Sequence, residues 1–485
     1  MQGKTRKRAK KPALGVMVVY KFENKQISIN EFGQPVGMKL SPENRWVKKA
    51  QMIPWVEIEK RYAKLFANRK GNVAKPLRLA LGACIIQAEY GYSDVEIALQ
   101  IQENAYLQYF CGYKEYDDSK LPFDPSLMVY FRKRLTPEVL GEINEMIIAN
   151  AQNEKRQDNN DDDEPGNSGT IIVDATCAPS NIKYPQDTSL LNEAREATEK
   201  IIDELHIPGE GKKPRTYRKQ AHKDYLNIAR TKKKTAKKIR TATRKQLGYL
   251  DRNLKSIEAL QADGKELSYK QVKKLEVIRN IYAQQKLMYD NKAHSVPDRI
   301  VSLSQPFIRP IVRGKAGKPV EFGAKLDISV EDGWARLEVM SFDAYNEAMN
   351  LKDMVERYRK RTGRYPSRVL ADKIYRNRDN LAYCKLHHIR LSGPALGRPK
   401  KDELRDKKQD YIDECERVEV ERRFSLAKRK CGLGLITTRL EPTISHSVAM
   451  SIVVLNLRKI QCALLWLLFN FRLSMTCGLN FVIVQ

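Results

Sequence analysis

Two short apolar segments that end in an aspartate, TIIVD at residues 170–174 and RVLAD at 368–372, decide the fold of this chain. Runs of β-branched and aliphatic residues of this kind are typical of buried strands. A buried strand holds the side chain at its end with little freedom, so acids at this position recur at active sites. An aspartate after a strand is also a common turn former or helix cap, and each segment alone is weak evidence of function.

The residues between these two segments predict the rest of a sheet. Three alternating segments with glycine-containing turns between them predict an antiparallel meander: 307–313, 320–330 and 334–341. A helix at 344–361 follows, and a short strand is expected near His388–Leu391. Strands that first pair antiparallel and then alternate with helices indicate a mixed α/β sheet.

The chain before residue 170 divides into three regions. Residues 1–50 are basic and without sustained periodicity, with a short strand at 17–23 at best, and residues 152–169 form an acidic linker. Residues 51–151 repeat apolar side chains at helical spacing and predict an all-α domain, for which DNA contact and plain packing are equally good interpretations. Its expected helices are 55–66, 77–90, 94–110, 124–135 and 137–151.

Residues 192–290 are predicted to be helical and are strongly basic, which suggests an inserted helical hairpin. A solvated helical face would explain the charge, but lysines as dense as Lys233, Lys237 and their neighbours favour contact with phosphates. The whole chain points the same way, because 88 Lys and Arg against 59 Asp and Glu leave a net charge of +29. An excess of this size is typical of proteins that bind a polyanion, most often nucleic acid.

Composition also excludes several classes of protein. The eight cysteines contain no CxxC pair and no zinc-type spacing, and no Gly-rich phosphate loop implies ATP. Residues 1–11 lack the apolar stretch of a secretory signal, so a cytoplasmic, nucleoid-associated location is expected. Charged residues interrupt the apolar C-terminus, which favours a buried helix and an apolar tail at 461–485 over a membrane span.

A predicted helix at 414–430 is the third segment, after the two strands, that carries candidate functional residues. Arg417, Glu421, Phe424 and Lys428 are spaced four, three and four residues apart, so they share one face. Without further information this face is an exposed ion pair between Arg417 and Glu421, worth a few tenths of a kcal/mol.

Taken together, IIVD, LAD and RVEVERRF-x₃-KRK-x-GLG resemble the bacterial DDE transposases of the insertion sequence 4 and 5 type. The segment 75–135, with LPFDPSLMVYFRKRL, and the segment 309–329 resemble further parts of that family, so the resemblance covers roughly residues 50–460. The family's helix carries Tyr, Arg, Glu and Lys with two, three and six residues between them. Arg417, Glu421 and Lys428 satisfy the last two gaps, whereas Glu414 stands at the Tyr position.

The resemblance implies a site and a set of DNA contacts. Asp174, Asp372 and Glu421 would be the catalytic acids and would hold two Mg²⁺ ions, with Mn²⁺ as a substitute, since Mg²⁺ prefers carboxylate oxygen. Residues expected to contact DNA are Arg417, Lys428, Lys233, Lys237 and Arg313. Other candidate ligands carry less weight: Asp379, Glu419 and the pair His387-His388.

The implied fold is a ribonuclease-H-like core of mixed sheet and helices at 170–460, with a basic helical insertion near 187–295 and an all-α domain before it. The implied function is a DNA transposase that binds terminal inverted repeats as at least a dimer, with no part for a membrane. Water would attack first, and the exposed 3′-hydroxyl would then attack target DNA.

Three rivals to this function stay open. The first is an inactive, transposase-derived DNA-binding or regulatory protein, and the second is a ribonuclease-H-like nuclease without strand transfer. A basic structural or ribosome-associated protein, which would show no metal-dependent turnover, is the third.

Overall fold

The computed structural model describes residues 20–22, 26–34, 37–66, 73–156, 166–209, 211–315, 318–393 and 407–477. The N-terminal half of these contains α1 (Arg45–Met52), α2 (Trp55–Ala63), α3 (Leu77–Tyr90), α4 (Asp94–Glu103), α5 (Ala105–Phe110), α6 (Leu127–Arg134), α7 (Pro137–Arg156), β1 (Thr170–Pro179), α8 (Asp187–Leu205) and α9 (Arg218–Ala229). The remainder contains α10 (Ala236–Ala262), α11 (Tyr269–Asp290), β2 (Arg309–Lys315), β3 (Lys318–Glu331), β4 (Trp334–Ser341), α12 (Leu351–Thr362), β5 (Arg368–Ala371), α13 (Arg378–Leu386), β6 (Arg390–Leu391), α14 (Lys407–Lys430) and α15 (Glu441–Cys477).

The six strands form one mixed sheet in the order β2-β3-β1-β5-β6, with β4 also paired to β3. β1 lies at the centre, antiparallel to β3 and parallel to β5. The predicted meander of β2, β3 and β4 is present, and Asp332 and Gly333 both adopt positive φ in the turn between the last two strands. An Asp-Gly pair is suited to that turn because both of its central residues need the left-handed region.

Alternation along the strands divides the core between the two faces of the sheet. Ile171 and Val173 of β1 pack with α12 and α13, whereas Ile172 packs in a cluster that includes α14 and α15. That second cluster continues without a break into α1–α7. The helical N-terminal region and the sheet therefore share one hydrophobic core.

The insertion between β1 and β2 has more helices than the two of the predicted hairpin, so this prediction was wrong. The described residues of the insertion form four helices, α8–α11, and these enclose a core of their own that includes Leu191, Leu250 and Ile278. The apolar periodicity of the segment predicts its helical character, but it does not mark the short loops that divide it into four helices.

Several predicted helices also have different boundaries: α2 ends at Ala63, α7 continues to Arg156 into the predicted linker, and α14 begins at Lys407. The helix expected at 94–110 is broken at Asn104, whose side chain accepts hydrogen bonds from Tyr106 N and Leu107 N and so begins α5. The helix expected at 124–135 begins at Leu127, because Asp124 Oδ1 accepts from Ser126 N (2.9 Å) and forms a turn. Before α12, residues Glu347–Asn350 form a 3₁₀ turn.

The ends of the chain were the least predictable parts. α1 begins inside the predicted extension and crosses its expected end at residue 50, and of the strand proposed at 17–23 only residues 20–22 are described, without strand structure. At the other end, α15 continues as far as Cys477. None of the helices within the described ranges combines the length and apolarity that crossing a membrane requires.

Candidate active site

Asp174 lies in β1, and Asp372 is the first residue after β5, the parallel strand beside it. Val173 pairs with Ala371 in register, so the next residue on each chain occupies the neighbouring position. Because Ile172 and Leu370 both face the cluster that contains α14, the two aspartates, two residues further on, point to that same face. Each Oδ1 accepts from the following backbone amide, Ala175 N at 2.8 Å and Lys373 N at 2.6 Å.

The helix α14 packs across this face of the sheet. Val420 and Ala427 are fully buried against it, and Arg423 lies beside Gly333 in the β3–β4 turn. Glu419 lines a recess with Thr170, at the beginning of β1. Glu421 lies about 200° further round the helix than Glu419, and so on the flank turned away from that recess.

The Glu421 flank carries the stripe predicted from the sequence. Arg417 Nη1 lies 3.5 Å from Glu421 Oε1, and the Glu421 side chain is 56% exposed. Phe424 packs against the core, and Lys428 is partly buried in the last turn. Among the described residues, no three His, Cys, Asp or Glu side chains lie close enough together to hold a metal ion. The structure therefore brings Asp174 and Asp372 together and does not gather Glu421 with them.

Gly432 explains how α14 ends. Gly432 adopts φ +83°, and Leu433 N donates to Ala427 O (3.2 Å), an arrangement that terminates a helix with a left-handed residue. The following loop returns to the sheet, where Ile436 N donates to Pro179 O at 2.8 Å. The end of β1 and the end of α14 are thus tied to each other.

A buried polar network under the opposite face was not predicted. Asp327, fully buried on β3, accepts from Tyr345 Oη (2.8 Å) and Asn350 Nδ2 (2.6 Å). Burial raises the pKa of Asp327 to about 6, although these hydrogen bonds oppose the shift. Burial, together with the charges of Asp327 and Asp174, also raises the pKa of Tyr375. An acid inside the apolar strand AKLDISV was the one signal of this network in the sequence.

The proposed DNA-contacting residues of the insertion lie on what we call the basic elbow, residues 230–245, which comprises the loop between α9 and α10 and the first turns of α10. It carries nine Lys and Arg and no acid, and residues 232–241, with Lys233 and Lys237, are all exposed. Arg240 joins the elbow to the end of α11, since its Nη1 donates to Tyr289 O at 2.8 Å. Arg313 lies on β2, and its side chain falls outside the described residues.

The weaker candidate metal ligands occupy positions with ordinary structural roles. Asp379 is exposed in the first turn of α13, and Glu419 pairs with Arg423 at 2.7 Å. The His387 ring stacks on Tyr365 with 4.3 Å between ring centroids. His388 adopts φ +56° in the turn after α13.

Two segments of the chain match known protein families. Residues 369–458 match the family described as "Transposase DDE domain", and residues 35–134 match "Transposase domain (DUF772)". The first segment contains Asp372 and Glu421, and the second contains α1–α6. Together they cover less than half of the chain. The mixed sheet with its helices is accordingly a ribonuclease-H-like DDE domain preceded by a helical N-terminal region, as predicted.

A curated relative was also found. The chain is 28% identical over 151 residues to "Uncharacterized protein ORF8 in nfe locus" of Rhizobium meliloti, which corresponds to 31% of this chain and 69% of the relative. No solved structure matches the chain.

Proposed function

We propose that this chain is a DDE transposase of the insertion sequence 4 and 5 type, which binds terminal inverted repeats and catalyses DNA strand cleavage and transfer. The observation that carries the proposal is the register of β1 with β5, which places Asp174 beside Asp372, the residue after β5, on the face that Ile172 and Leu370 share with α14. The two transposase-domain matches support it.

The donor chemistry of the two aspartates fits a hard divalent cation, because carboxylate oxygens are the ligands that Mg²⁺ prefers. We propose that Asp174, Asp372 and Glu421 hold two Mg²⁺ ions, which Mn²⁺ can replace. When bound, such ions activate an attacking oxygen and stabilise the leaving oxygen of a phosphodiester. The amides of Ala175 and Lys373 fix the orientation of the two carboxylates.

The remaining proposed residues hold DNA. Arg417 and Lys428 lie on the same flank of α14 as Glu421 and would bind backbone phosphates close to the cut. The basic elbow, with Lys233 and Lys237, and Arg313 on β2 would contact phosphates further away. Both ends of an element must be cut in a coordinated way, so we propose that the active species is at least a dimer.

The test is end cleavage and joining on a plasmid with the element's native flanking ends, with and without Mg²⁺. Asp174→Asn and Asp372→Asn should each reduce cleavage by about 10³-fold or more, while DNA affinity stays within about twofold. Each change replaces one carboxylate oxygen with an amide nitrogen and removes the negative charge, but keeps the shape of the side chain. Asp379→Asn, the same change at an exposed acid seven residues from Asp372, is the control and should retain activity.

A second function has one observation in its favour. Glu421 is paired with Arg417 and is not grouped with the two aspartates, as expected for a transposase-derived protein that binds DNA without cutting it. Wild-type protein that binds the ends but never cleaves them would establish this alternative. Cleavage without joined products would instead indicate a ribonuclease-H-like nuclease.

A further inference from the structure

One side chain, Arg368 on β5, contacts both β1 and α14, the elements that carry Asp174 and Glu421. It is the first residue of β5 and pairs in register with Thr170, the first residue of β1, whose Oγ1 accepts from Arg368 Nε at 2.6 Å. Its Nη1 lies 3.4 Å from Asp413 Oδ1 and its Nη2 lies 2.5 Å from Glu416 Oε2, both on α14. We call these four residues the Arg368 cluster.

Asp413 makes this attachment specific. It is almost completely buried, and it also accepts from Arg390 Nη2 on β6 (2.6 Å) and from Gln409 Nε2 (3.0 Å). Burial opposes ionisation of Asp413, but these hydrogen bonds and the two arginine charges hold its pKa below the usual value. A planar guanidinium with several fixed donors suits such a three-way contact better than a lysine does.

The cluster lies away from the reacting atoms. Asp372, which directly follows β5, is four extended residues from Arg368, about 13 Å, and Glu421 is eight residues along α14 from Asp413, about 12 Å. Over that length, a 10° rotation of the helix about the cluster would move Glu421 by about 2 Å. A misplacement of about 1 Å in an active site can cost about 100-fold in rate.

We propose that Arg368 is a positioning residue that sets the placement of α14, and with it Glu421, relative to Asp174 and Asp372. This inference rests on the proposed function for its catalytic consequence. Its structural half, attachment of α14 to the beginnings of β1 and β5, does not.

The test compares Arg368→Met, Arg368→Lys and Glu416→Gln in the full chain with a control, Arg279→Met, which breaks an exposed ion pair to Glu258 in the insertion. Arg368→Met should lower kcat for end cleavage about 10- to 100-fold with little change in KM for DNA. It should also weaken Mn²⁺ binding about tenfold, measured by calorimetry without DNA. Loss of a residue that orients metal ligands typically lowers metal affinity by about this factor. Arg368→Lys should recover part of both losses.

Amide hydrogen exchange distinguishes the two halves of the inference. Arg368→Met should accelerate exchange in α14 while β1 and the insertion stay protected, and Arg279→Met should leave α14 unchanged. Unchanged exchange, Mn²⁺ affinity and kcat in folded Arg368→Met would overturn the proposal.

If that variant does not fold, Glu416→Gln, which weakens one contact to α14, decides by the same three measurements. If wild-type protein neither binds Mn²⁺ nor cleaves DNA, the proposed function fails, and the exchange result alone still decides on the attachment.

Discussion

Asp174 and Asp327 illustrate how alternation along a strand assigns two acids to different roles. They lie on neighbouring strands, and Asp327 pairs with Ala175, the residue next to Asp174. Because Ala175 and Asp174 point to opposite faces, Asp174 faces α14 and Asp327 faces the buried network with Tyr345 and Asn350. A shift of one residue along the paired strands therefore separates Asp174, a candidate metal ligand, from Asp327, a buried structural acid.

His446 is a residue whose burial should make the free energy of unfolding depend on pH. It is fully buried on α15, and its Nδ1 donates to Leu135 O at 2.7 Å, across to the end of α6. Burial lowers the pKa of His446 to about 4 from an ordinary value of 6.5. The unfolded chain therefore takes up a proton before the folded chain does, and the stability from this group, complete above pH 6.5, is lost as the pH falls toward 4.

We expect His446→Asn to remove that dependence while it keeps the hydrogen bond, since the asparagine amide nitrogen can replace Nδ1. Between pH 7 and pH 4 the wild type should lose roughly 3 kcal/mol more unfolding free energy than the variant. Urea unfolding at both pH values measures the difference. Equal losses in the two proteins would contradict the assignment.

At the scale of elements, α10 has two different halves. From Leu247 onward it buries Leu247, Leu250 and Leu254 in the core of the insertion, while its first residues, 236–241, belong to the basic elbow and are exposed. The elbow has no acid of its own, and Lys245 at its end pairs with Asp224 of α9. Sustained positive charge on an exposed turn is the arrangement expected for phosphate contact.

The double variant Lys233→Gln/Lys237→Gln should weaken DNA binding and reduce the slope of log K against log salt by about 2, since each phosphate contact contributes about 0.9. Fluorescence anisotropy over a series of salt concentrations measures both. Lys270→Gln/Lys274→Gln removes the same charge from exposed positions of α11 and should change the slope less. Equal effects of the two pairs would mean that net charge alone, and not the elbow, governs binding.

At the scale of the whole molecule, Asn456 joins three elements that are distant in sequence. Its Nδ2 donates to Asn144 Oδ1 on α7 and to Ala335 O on β4, both at 2.8 Å. Ala335 N in turn donates to Asn456 Oδ1 at 2.9 Å. The side chain is fully buried on α15, inside the core shared by the helical region and the sheet.

Asn456→Ala should therefore destabilise both regions together, by about 3 kcal/mol, because it leaves buried polar groups without partners and opens a cavity. Urea unfolding followed by circular dichroism should show the helical region and the sheet unfolding in one transition. Asn291→Ala, at an exposed position after α11, should change stability by less than about 0.5 kcal/mol. A second, unshifted transition in Asn456→Ala would show that the two regions fold independently.

The sequence by itself determined the strands, most of the helices and two of the acids. TIIVD and RVLAD are local signals, because an apolar run and its terminal aspartate lie within five residues of each other. The spacing of Arg417 and Glu421 is equally local, and the structure contains their ion pair. The role of Asp174, Asp372 and Glu421 in catalysis remains a prediction.

Only the tertiary structure decided which distant residues meet. Arg368 contacts Thr170 and Glu416, which are separated from it by 198 and 48 residues, and no periodicity within one segment encodes such pairs. The same holds for Asn144 with Asn456 and for the four-helix core of the insertion. Local patterns fix which face of an element is apolar, whereas the partner of that face depends on how the whole chain packs.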